Sequence, residues 1–220
     1  MLIPAHVVPL WESIQQEVIG LHAYWINYRQ LFGKTKERYD LLGEVAWAFF
    51  YIVDNTLLND VQIGLSRLGD PASSGKWENA TLERLLHELV PVAPPSLTSN
   101  LERILATYQD RCKHIRYRRD KELAHSDLGA LLLSHGHAEG PAIPGPSRHD
   151  IEQALEALRD FMNAIDMHFR NTEVAYERFI SRSNADEMVF VLKQGLRYKQ
   201  LQKEGTIGWD DMRQFDRFKA

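Results

Sequence analysis

Trp11, Ile14, Val18, Leu21, Trp25, Tyr28 and Phe32 recur at alternating steps of three and four. That spacing lays one apolar stripe along a helix of about six turns, and it excludes a strand, whose faces alternate every two residues. Gly33 is expected to stop the helix. A second helix is expected from near Thr35 through LLGEVAWAFFYIVDNTLL to SRLGDP, where Gly69 and Pro71 break the pattern. Its middle is apolar nearly all round, which predicts a helix at the centre of the fold. DPASSGKWEN reads as a loop, Thr81 as the cap of a short helix TLERLLHELV, and PVAPPSLTSN as a second break. Leu101, Ile104, Leu105, Tyr108, Cys112 and Ile115 mark an amphipathic helix expected to reach His125. Residues 134–149, rich in Gly, Pro and His, read as a surface loop. Ile151, Leu155, Leu158, Met162, Ile165, Phe169 and Tyr176 share one stripe of a long helix, and a shorter helix covers roughly 185–202. No strand alternation or repeat is visible. The expected fold class is therefore all-α, with the helices over residues 1–204. A tail follows, 205–220, carrying Trp209, Met212, Phe215 and Phe218.

Apolar residues make up 44% of the chain and charged residues 25%, which suits a globular protein with a sizeable core. The net charge is −4, so affinity for nucleic acid has to come from a local patch. One cysteine, Cys112, excludes an intramolecular disulfide and fits a reducing cytoplasm. The N-terminus shows no basic segment followed by a long apolar one, so no signal peptide is expected. The longest apolar run, Val45 to Val53, falls short of the roughly 20 residues a spanning helix needs, and no membrane association is expected.

The run RYRRDKELAHSD, Arg116 to Asp127, holds the candidate chemistry. On a helical wheel Tyr108, Cys112 and Ile115 define the apolar stripe and Arg119 continues it, while Arg118 and His125 meet at one edge. A guanidinium on an apolar stripe needs a partner inside the fold or a second copy to cover it. Arg111, Lys113, Arg116, Arg118, Arg119 and Lys121 stand against Asp120 alone across 111–121, a patch able to hold a phosphodiester. On charge alone a solvated helix face explains it better, and cations also suit a helix C-terminus. An arginine near a histidine is itself a common spacing.

The longer string is more specific. Arg119-Asp120-Lys121-Glu122-Leu123-Ala124-His125 resembles the signature of HEPN domains, in which an arginine is followed by a polar residue and, after a short gap, a histidine. YRQLFGKTKERYDLL, the AWAFF helix and LSRLGDP resemble the AbiU-type abortive-infection branch, over roughly residues 10–200. The resemblance implies an all-α HEPN-type helical bundle with long antiparallel helices, and RNA cleavage without metal or other cofactor. The ribose 2′-OH is the nucleophile and the product a 2′,3′-cyclic phosphate. On that resemblance His125 would transfer protons, Arg119 would bind the scissile phosphate, and Asp120 would orient one of them through a hydrogen bond. Arg118, Lys121, Arg116 and Arg111 are the RNA-binding candidates, and Arg118 competes with Arg119 for the phosphate. The implied partners are RNA, a second copy completing a composite cleft, and an antitoxin protein. The implied role is phage defence or a toxin of a toxin–antitoxin system. A catalytically inactive HEPN module binding RNA or protein is the alternative.

Other constellations are weaker. His135, His137 and His149 could ligate zinc, but their loop has no cysteine and a mobile composition, so no metal site is expected. Arg67 is expected to form a helix-end ion pair, with Asp70 the candidate partner. Glu44 and Asp54, on the apolar second helix, need a cation, and Arg119 is a candidate. No phosphate-cradling glycine loop, nucleophile elbow or HExxH is present.

Overall fold

The computed structural model describes residues 2–123, 127–129, 132, 137, 145–178 and 183–208. It is all-α apart from one minimal hairpin. The described helices are α1 (Val8–Phe32), α2 (Lys36–Leu68), α3 (Leu82–Leu89), α4 (Pro95–Arg111), α5 (Lys113–Arg118), a π-helical turn (Arg119–Leu123), α6 (Arg148–Arg170), a 3-10 turn (Tyr176–Arg178) and α7 (Ala185–Lys203). The tail aromatics Trp209, Met212, Phe215 and Phe218, and also His125 and His135, lie outside the described residues.

The stripe predicted for α1 is the face it buries: Trp11, Ile14, Val18, Leu21, Trp25 and Tyr28 are all buried, and Phe32 at its end is half-buried. Gly33 ends it, because a Cβ there would stand 2.8 Å from the Arg29 carbonyl oxygen that already accepts the Gly33 N–H. Thr81 caps α3 by accepting from the Arg84 N–H at 3.2 Å. Ser147 opens α6 with a full capping box, exchanging hydrogen bonds with Asp150.

Five expectations need correction. DPASSGKWEN is not all loop: Ser73–Ser74 (β1) pairs antiparallel with Trp77–Glu78 (β2) around Gly75, whose positive φ of 60° glycine tolerates. PVAPPSLTSN breaks the chain only before Pro95, because a proline at the first helical position starts a helix rather than stopping it. The helix expected from Leu101 to His125 is interrupted at Cys112 (φ −82°, ψ −3°) and widens into the π turn at Arg119. The long helix ends at Arg170, where Asn171 turns left-handed (φ 50°), so Tyr176 falls in the 3-10 turn.

The fifth concerns α2. Its backbone leaves helical geometry at Ala46, and Trp47, Phe49, Tyr51 and Ile52 beyond that point are exposed, with only Phe50 of that run buried. The helix expected at the centre thus lies uncovered there, because all-round apolarity says nothing about what packs on each face. By length and composition alone α2 could cross a membrane, though polar Asp54, Asn55 and Asp60 interrupt it.

The chain divides into two compact units. The first, Met1–Ile26 with Thr56–Phe179, contains the core built by α4 and α6. Leu101, Tyr108, Phe161, Met162 and Ile165 are fully or almost fully buried there. Arg111, ending α4, bonds to the Gln153 carbonyl and Glu156 early in α6, whereas Asn100 and Arg103 share a cavity with Asn163 and Glu173. The two helices therefore run antiparallel. The second unit, Asn27–Asn55 with Ile180–Ala220, joins the end of α1 and the start of α2 to α7. There Asp186 accepts from Lys34 Nζ at 2.7 Å and Arg38 Nη1 at 2.5 Å. Burial pushes the Asp186 carboxyl up, but these two cations outweigh it and hold its pKa below the ordinary value.

Candidate functional site

The site is built in the first unit, where α5 passes into the π turn. A π turn widens the helix by one residue and so redirects the side chains it carries. Arg119 opens it, with a side chain 18% exposed. All three guanidinium nitrogens are engaged. Nη1 donates to both Asp70 oxygens at 2.8 Å. Nε donates to Asp120 Oδ1 at 2.8 Å, and Nη2 lies 2.7 Å from the same oxygen. Burial lowers the Arg119 pKa, but the two carboxylates more than compensate and hold it above the ordinary arginine value.

Arg116 joins the same carboxylate: Nη2 donates to Asp70 Oδ1 at 3.0 Å, and Nη1 donates to the Gly69 carbonyl at 3.1 Å. Arg118 points elsewhere, to Glu122 at 2.9 Å and to the Oε1 of fully buried Gln62 at 3.1 Å. The segment supplying Asp70 is itself fixed. Tyr108, fully buried, donates its hydroxyl to the Leu65 carbonyl in the last turn of α2 at 2.5 Å. The Gly69 N–H bonds to the Ser66 carbonyl at 3.1 Å, and the Asp70 N–H to the Arg67 carbonyl at 3.2 Å. Asp70 also lines a cavity of about 370 Å3 together with Arg67, Asn79 and Thr81.

The charge count of the patch changes in three dimensions. Arg111 pairs with Glu156 at 3.1 Å, Lys113 with Asp110 at 2.5 Å and Lys121 with Asp127 at 2.9 Å. With the Arg116, Arg118 and Arg119 pairs, all six cations have a carboxylate partner. The patch that stands against Asp120 alone in the sequence is close to neutral in the isolated chain. Two pairing expectations are corrected as well. Arg67 pairs with Glu17, not Asp70. The carboxylates on Arg119 are Asp70 and Asp120, and Glu44 is exposed. A short segment that brings Asp70 under Arg119 satisfies the guanidinium without drawing on α2.

The structure thus brings Arg119, Asp120, Arg116 and Asp70 together, sets Arg118 with Glu122 and Gln62, and places Arg111 toward α6. His125 lies outside the described residues, as does His135 of the three-histidine loop. Gln62 and Glu122 carry no site role in the sequence reading, and Asp70 appears there only as a partner of Arg67. The only signal for Asp70 was its place between Gly69 and Pro71, where the chain must stop its helix and turn. Cys112 is buried and its thiol is pushed up to about 12 by that burial, which leaves it a packing residue and no nucleophile.

The HEPN_AbiU2 family model, described as AbiU2, matches residues 5–190. No curated protein and no solved structure matches the chain.

Proposed function

The chain belongs to the HEPN_AbiU2 family, and from that premise we propose that it is a metal-independent endoribonuclease acting in phage defence or as the toxin of a toxin–antitoxin system. The observation that carries the reading is the Arg119–Asp120 pair. A guanidinium only 18% exposed heads the π turn, and the polar residue next to it in sequence holds its Nε edge. Arg119 would hold the non-bridging oxygens of the scissile phosphate and stabilise the charge that builds on them. His125, six residues on, would take the proton from the ribose 2′-OH as that oxygen attacks phosphorus. The bond to the 5′-oxygen breaks, that oxygen takes up the proton that His125 gained and leaves as a 5′-hydroxyl, and a 2′,3′-cyclic phosphate remains. A second copy facing the first would complete the cleft and exclude water from it.

One observation favours the alternative, a catalytically silent HEPN module binding RNA or a protein such as an antitoxin. Every cation between Arg111 and Lys121 already has a carboxylate partner, so an RNA backbone must displace carboxylates to bind. Incubating the protein with total RNA in EDTA, beside Arg119→Ala and His125→Ala, separates the two. Degradation by wild type alone supports the nuclease; equally intact RNA in all three samples favours the silent module.

A further inference from the structure

The two carboxylates on Arg119 differ in standing. Asp70 reaches it from 49 residues away, its side chain only 27% exposed, and serves Arg116 as well. Arg116 and Arg119 are three apart on one helical face, where like charges repel, and Asp70 lies between them and removes that repulsion. Asp120 is Arg119's sequence neighbour, 57% exposed and therefore weakly held. Their places on the guanidinium differ too. An oxyanion binds bidentately through two adjacent N–H groups, most readily along the Nε and Nη edge. Here Asp120 occupies the Nε and Nη2 edge, and Asp70 the remaining Nη1. A phosphate can take the bidentate edge by replacing Asp120 alone, with the Asp70 contact intact. Replacing Asp70 instead would break its contacts with both part-buried arginines at once, whereas Asp120 is held by Arg119 alone.

We propose that Asp70 is the positioning residue of this site, holding Arg119 and Arg116 as one clamp, while Asp120 is the exchangeable carboxylate whose place an RNA phosphate takes. The identity of the ligand rests on the nuclease reading; the division of labour between the carboxylates rests on geometry. It accounts for an acidic residue beside a phosphate-binding arginine: Asp120 keeps the guanidinium neutralised until an oxyanion with better geometry arrives.

The test measures binding of a 2′-O-methyl RNA, whose blocked hydroxyl cannot act as nucleophile, by fluorescence anisotropy on the full chain. Cleavage of the unmodified RNA is followed in parallel. Asp120→Asn keeps the shape and removes the competing charge, so its Kd is expected to fall several-fold. Asp70→Asn is expected to weaken binding about tenfold, toward the Arg119→Ala value, as expected for loss of one charge-assisted contact. Asp70→Glu restores part of that loss, which a purely structural defect would not show. If Asp70→Asn fails to fold, the Asp120→Asn and Asp70→Glu results decide alone. Wild-type affinity in Asp70→Asn beside weakened Arg119→Ala, or weaker binding by Asp120→Asn, overturns the proposal, as does absence of binding by wild type. The expected ranking with uncut RNA would sink the nuclease reading and leave this one standing. Cleavage without the ranking does the reverse.

Discussion

Removing one hydroxyl behind the Gly69–Asp70 segment should loosen the site. Tyr108 is fully buried in α4, and its hydroxyl bonds to the Leu65 carbonyl at 2.5 Å. That carbonyl belongs to the last four of α2, which have no partner further along the helix. The Gly69 N–H turns to Ser66 instead, so Tyr108 acts as a side-chain cap for α2 and anchors the chain that leads to Asp70. The same burial holds the Tyr108 phenol well above its ordinary pKa, so it donates at any working pH. Tyr108→Phe keeps the ring and strands a buried carbonyl. Such a loss costs about 2 kcal/mol, between an ordinary neutral bond and a full desolvation penalty. For a chain of this size that lowers Tm by about 4–8 °C. Thermal melting by circular dichroism reads it directly, and RNA binding should weaken beside it because Asp70 loses its support. An unchanged Tm would refute the cap, and a lowered Tm with unchanged RNA affinity would refute the link from Tyr108 to the arginine clamp.

Other outcomes follow from single features. His22, 4% exposed and stacked on Tyr176 at 5.7 Å, has its pKa lowered to about 4, chiefly by burial and then by Arg159. The unfolded chain therefore binds a proton here that the folded chain refuses. The stability present above pH 6.5 is lost as pH falls toward 4, by about 3 kcal/mol from this residue, and His22→Phe should flatten that part of the stability–pH curve; an unaltered curve would acquit His22. Ser147→Ala removes the capping box of α6 and should cost about 1 kcal/mol in urea denaturation; no measurable loss would mean the box is redundant. Arg119→Ala and His125→Ala chains, each inactive alone, should regain cleavage when co-refolded if two copies share one cleft; a mixed dimer that stays inactive contradicts the shared site.

What the sequence revealed and what it hid divide along a physical line. Helices whose stripe is covered by the chain itself were legible: the α1 stripe and most of the α6 stripe are buried as spaced. The aromatic run after Ala46 was misplaced at the centre, because periodicity records how apolar a face is and carries no record of its cover. The position of Arg119 on the apolar stripe calls for a partner inside the fold or a second copy, and Asp70 is such a partner, although the continuous helix breaks at Cys112. The partners of the patch were lost for two reasons. Asp110, Glu122 and Asp127 lie just beyond residues 111–121, whereas Asp70 and Glu156 come from other elements 46 and 45 residues away. Long-range ion pairing leaves no periodic trace, so the sequence displayed a basic patch where the fold builds a neutralised one.

The most direct measurement of the central claim is the chemistry of the cut ends. RNA incubated with the protein in EDTA and analysed by mass spectrometry should carry 2′,3′-cyclic phosphate and 5′-hydroxyl termini, absent with Arg119→Ala and with His125→Ala. Ends bearing 3′-hydroxyl and 5′-phosphate, or the same cyclic ends produced by both variants, would contradict a nuclease built on Arg119 and His125.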